Sequence, residues 1–91
     1  MGRETRLFKT EERKTRSDVS EFLHQLADKI ANGRAVLSRG GEEIVLQIPH
    51  HLILEVQVED EEKGPKGTQH SLEVEIKWFD NDEQGGSLEL K

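Results

Sequence analysis

Leu72-Glu73-Val74-Glu75-Ile76-Lys77-Trp78 is the stretch on which the fold turns. Apolar and charged residues alternate through it without a slip, and it ends on the single tryptophan of the chain. Successive side chains of an extended strand point to opposite faces, so strict period-two alternation predicts a β-strand with one buried and one solvated face. Leu72, Val74, Ile76 and Trp78 share the inner parity. Glu73, Glu75 and Lys77 share the outer one.

The neighbouring segments read in the same way. The tryptophan strand is predicted to run over about 70–79. Before it, residues 52–60 set Leu52, Leu54, Val56 and Val58 against Ile53, Glu55, Gln57 and Glu59, a second amphipathic strand. Between them, 59–69 is polar and carries Gly64, Pro65 and Gly67, the composition of a mobile loop. Further upstream, 34–39 and 42–48 flank Gly40-Gly41, a two-residue hairpin signal that tolerates positive φ. Ile44, Leu46 and Ile48 fall on one face of the second of these strands. Pro49 ends it, and His50-His51 make the turn.

The pattern changes at the N-terminal side. Val19, Phe22, Leu23, Leu26, Ala27, Ile30 and Ala31 recur at helical spacing, which predicts a helix over 18–31 with one apolar stripe. Ser17 is placed to cap it, Asp18 and Glu21 suit the positive end of its dipole, and Asn32-Gly33 provides the stop after Lys29. Leu7-Phe8 within polar surroundings predicts a short edge strand near 6–12. Asp80 to Lys91 reads as a flexible acidic tail, with Leu88-Glu89-Leu90 able to add a few strand residues. The expected fold is therefore α+β: an antiparallel β meander of four to five strands with one amphipathic helix packed across one face. Eleven inward strand positions, from Ile44 to Trp78, meet the seven-residue helix stripe.

Composition bounds the class. At 91 residues the chain is long enough for one small domain, placed at residues 5–80 with 81–91 as the tail. Charged residues make up 35% and hydrophobic ones 32%, so the core must be small. The chain has no cysteine, which excludes disulfides and thiolate metal sites and fits a reducing cytoplasm. No apolar run approaches the ~20 residues that span a bilayer, and the first residues lack the hydrophobic stretch of a signal peptide. A cytoplasmic, soluble protein is the expectation. The net charge of −6 is uneven: residues 1–40 carry nine Lys/Arg against six Asp/Glu, and residues 41–91 carry four against thirteen. Such polarity can steer a partner, and it also keeps a small domain soluble.

In combination these segments resemble the amphi-Trp domain family, small prokaryotic proteins. The resemblance rests on Leu7-Phe8-Lys9, on Val19 through Ile30, on Gly40-Gly41-Glu42-Glu43-Ile44 and on Leu72 through Trp78. It covers about residues 5–80. It implies no activity, catalytic residue or cofactor, and it carries no functional residue across.

The residues themselves offer little catalytic equipment. Nucleophilic catalysis lacks a cysteine and a Gly-x-Ser-x-Gly elbow. Gly64-Pro65-Lys66-Gly67 is a turn and not a phosphate loop. His24, His50, His51 and His70 show no metal-ligand spacing. Asp80 to Gly85 resembles the start of a calcium loop, but the glutamate required at position twelve falls on Lys91. No catalytic residue, no metal ligand and no cofactor is assigned, and the chain is expected not to be an enzyme. Trp78 is read as packing at the rim of the core, with an interface anchor as the alternative.

Two surfaces remain. The outer sheet face carries Glu55, Glu73 and Glu75, interrupted by Val45, Ile53 and Phe79; this mixed patch suits a protein partner or a second copy, and its carboxylates suit a cation. The N-terminal arm carries Arg13, Lys14 and Arg16, the kind of cluster that neutralises phosphates. The reading is a non-enzymatic protein-interaction module, a homodimer being one form of it. Its alternatives are a nucleic-acid accessory using the basic arm, and a cation-binding or enzyme-accessory domain using the acidic face. Contact with nucleic acid is disfavoured, because the aromatic stacking surface of single-strand binders is missing. A membrane is not an expected partner.

Overall fold

The computed structural model describes residues 2–80. The expected acidic tail, its short Leu88–Leu90 strand and nearly all of the calcium-loop-like segment lie outside the described residues. Within them a helix, α1 (Arg16–Ala31), precedes four strands: β1 (Arg34–Arg39), β2 (Glu42–Gln47), β3 (Ile53–Glu62) and β4 (Thr68–Lys77). The class is α+β and all strand pairing is antiparallel. The chain divides into two units, Met1–Ile48 and Pro49–Lys91.

In the first unit, α1 begins two residues earlier than the apolar stripe predicts. Thr15, rather than Ser17, is the cap: it is extended (φ −76°, ψ 161°) and its Oγ1 accepts the Asp18 backbone N–H at 3.0 Å. That bond satisfies one of the donors a helix start leaves unpaired. The stop falls where Asn32-Gly33 places it. Asn32 N–H donates to the Asp28 carbonyl at 3.1 Å, and Gly33, at φ 81°, donates to that of Ile30 at 3.0 Å. Gly33 also accepts the Ile48 N–H at 2.8 Å, so the residue that ends the helix also ties down the far end of the hairpin.

β1 and β2 pair in a register that sets Ala35 opposite Leu46 and Leu37 opposite Ile44. Gly40 takes positive φ (58°) and Gly41 does not, the sign pattern of a type II′ hairpin turn. Helix α1 packs on β1. Ala35 is buried, and Phe8, Leu26, Ile30, Leu37, Ile44, Leu46 and Ile48 are half-buried. Ala35 is the one buried hydrophobic side chain among the described residues. The N-terminal half of the helix stripe stays exposed, with Val19 at 46%, Phe22 at 51% and Leu23 at 54%.

The second unit is a ribbon. β3 and β4 pair along their whole ten-residue length, from Ile53 opposite Lys77 to Glu62 opposite Thr68. Lys63–Gly67 is all that connects them, through a short 3-10 turn at Gly64–Lys66 closed by Lys63 N–H on the Gly67 carbonyl at 2.8 Å. The expected mobile loop over 59–69 is thereby corrected: its outer residues are strand, because cross-strand pairs hold them.

Three further expectations are overturned. No strand forms over 6–12; residues 2–15 have no regular structure before α1. One apolar pair offers too little to bury, and Leu7 remains 67% exposed. The four strands do not form one continuous meander but two separate two-stranded sheets. Pro49, which has no N–H to give and a fixed φ, sits where β2 would have to turn into a paired β3. Finally, five of the positions expected to point inward are not buried. Leu54, Val56, Val58, Leu72 and Val74 are 59–73% exposed.

Candidate protein-interaction surface

The register of the ribbon sorts its side chains into two faces. Directly opposed residues of an antiparallel pair lie on the same face, so Leu54 joins Ile76, Val56 joins Val74, and Val58 joins Leu72. These three rows make one apolar face. By parity the next row is Asp60 with His70, whose Oδ1 and Nδ1 lie 2.7 Å apart. A polar pair thus closes one end of the stripe. At the other end Leu52 and Trp78 are half-buried. Trp78 directly follows the last residue of β4.

The opposite face holds Ile53, Glu55, Gln57 and Glu59 across from Lys77, Glu75, Glu73 and Ser71. Glu55 faces Glu75 directly, a like-charge pair that repels. Lys77 relieves it. Its Nζ donates to Glu55 Oε1 at 3.0 Å and lies 3.4 Å from Glu75 Oε1. The hydrogen bond to Glu55 and that carboxylate's charge, followed by the same contributions from Glu75, hold the Lys77 ammonium above the ordinary 10.5. Gln57 Nε2 donates to Glu59 Oε1, and the Ser71 hydroxyl to the Glu59 carbonyl at 3.4 Å. The acidic face is therefore knitted by local pairs and open to water.

The candidate residues distribute as follows. Ile53, Glu55, Glu73 and Glu75 do share this outer ribbon face, and Ile53 is 43% exposed. Phe79 lies two residues beyond β4 and is 66% exposed. Val45 belongs to the first unit, opposite Val36 on the face of β1–β2 that alternates with Ala35 and Leu37. Of the basic arm, Arg13 and Lys14 precede the helix and Arg16 opens it. Lys14 and Arg16 rim a shallow depression on the helix with Val19, Ser20, Leu23 and His24. No group of three or more His, Asp or Glu side chains is gathered to hold a metal among the described residues, and no helix there is long and apolar enough to cross a membrane.

What sequence reasoning missed is the exposure of the inner face. Alternation announces that Leu54, Val56, Val58, Leu72 and Val74 share a face. It does not say whether that face meets the rest of the chain.

Among known proteins, no curated protein and no solved structure matches the chain. The model of the Amphi-Trp domain matches residues 1–91. That match spans the amphipathic segments just described, and the chain belongs to the Amphi-Trp domain family.

Proposed function

We propose that this chain is a non-enzymatic, cytoplasmic protein-interaction module that works through the apolar face of β3–β4. The observation that carries the reading is the exposure of five apolar side chains, Leu54, Val56, Val58, Leu72 and Val74, on one face of one ribbon. Singly exposed apolar residues are ordinary, but a contiguous apolar stripe closed at one end by a polar row is the mark of a docking surface. The geometry of the carboxylates supports the non-enzymatic part. They lie on an open, solvated face, whereas acid–base catalysis uses groups held against a substrate in a cleft. A cysteine-free composition supports the reducing compartment.

The test is an affinity capture with three tagged chains: the parent, Val56→Glu with Val74→Glu, and Glu73→Gln on the opposite face. A defined set of proteins, further copies of the chain among them, is expected on the parent and on Glu73→Gln and absent from the double variant. An identical set on all three would remove the apolar face from the function.

A further inference from the structure

Resting on that reading, we infer that the occupant of the ribbon's apolar face is a second copy of the same chain, packed face to face across a two-fold axis. The first argument is area. With five side chains 59–73% exposed, each face offers roughly 500 Å² of apolar surface, toward the top of the ~300–600 Å² that the largest patch on a monomer usually reaches. Two such faces brought together remove about 1,000 Å² from water, where specific interfaces begin. The second argument is that a lone two-stranded hairpin is marginal in water and needs a further layer over its apolar face. Another copy supplies that layer with the same side chains.

The third argument is complementarity. An axis along the ribbon, midway between the copies, sets Leu54 over the partner's Ile76, Val56 over the partner's Val74 and Val58 over the partner's Leu72. β-Branched and γ-branched side chains meet in every row except the central one, which is all valine and lets the backbones approach. The same axis sets Asp60 over the partner's His70 and His70 over the partner's Asp60, so the polar ends answer each other. The acidic faces point away. Packed sheets sit ~10 Å apart, so carboxylates on the two outer faces are separated by more than the ~8 Å screening length of physiological salt.

Light scattering of the full chain over a concentration series tests this. The expected mass is twice the 10.4 kDa of one chain. Val56→Thr with Val74→Thr keeps the β-branched shape and strand preference, and is expected to weaken the dimer about tenfold or more. Ile53→Thr on the other face should leave it unchanged. Because the chain has no cysteine, a mixture of Val58→Cys and Leu72→Cys chains should be joined by a short bis-maleimide more efficiently than a mixture of Val58→Cys and Ile76→Cys chains, whose positions lie two rows apart along the ribbon. A dimer insensitive to the double threonine variant overturns the inference. So does a monomer at every concentration. In that monomer, slow amide exchange over 53–58 would assign the face to the chain's own helix stripe. Fast exchange, with captured proteins still lost from the double glutamate variant, would assign it to a different protein and leave the interaction reading standing.

Discussion

Lys77 shows how one side chain decides whether the acidic face is tolerable. Without it, Glu55 and Glu75 would face each other unrelieved across the ladder. The sign of its effect on stability follows from its raised pKa. A lysine that gains partners on folding contributes stability that is fully present below its unfolded value of 10.5 and is lost as pH rises through the folded value above it. Urea denaturation between pH 9 and pH 11.5 should therefore show a steeper loss for the parent than for Lys77→Gln. Equal slopes would mean that the contacts to Glu55 and Glu75 are absent in solution. Thr15 and Gly33 act locally in the same sense. One starts the helix with a side-chain acceptor, and the other ends it with a φ of 81° that a side chain makes costly. The stop follows from residue type, whereas the expected cap, Ser17, gives way to Thr15. Propensity does not separate two hydroxyls two positions apart; the path of the chain entering the helix does.

At the scale of elements the two hairpins are unequal. α1 packs on β1, whose Ala35 is buried. β3–β4 is longer, and its apolar rows are exposed. A two-stranded ribbon gains its ladder hydrogen bonds but little burial, and backbone ordering costs about 1–2 kcal/mol per residue. A peptide of residues 49–80 is therefore expected to show no cooperative thermal transition by circular dichroism at low micromolar concentration. A sharp transition there would show that local pairing alone suffices. The elements were largely readable: four of the five predicted strands exist, with ends displaced by up to two residues. The one that fails, at 6–12, had a single apolar pair to offer.

For the whole molecule, folding and association are expected to be linked. If a second copy binds only the folded chain, mass action raises the melting temperature with protein concentration. The parent should show that rise over a hundredfold range, and Val56→Thr with Val74→Thr should flatten it. A parent melting temperature independent of concentration would count against the dimer. The sequence by itself determined the α+β class, the helix and its stop at Asn32-Gly33, the two hairpins and the sorting of β3 and β4 into an apolar and an acidic face. Each of these depends on neighbours within a few residues or on a two-residue period, which composition and spacing encode directly. Tertiary structure decided that the strands form two sheets and not one, and that Leu54, Val56, Val58, Leu72 and Val74 remain exposed. Those outcomes depend on which surfaces meet across the fold. Periodicity declares that a face seeks cover but carries no information on what covers it.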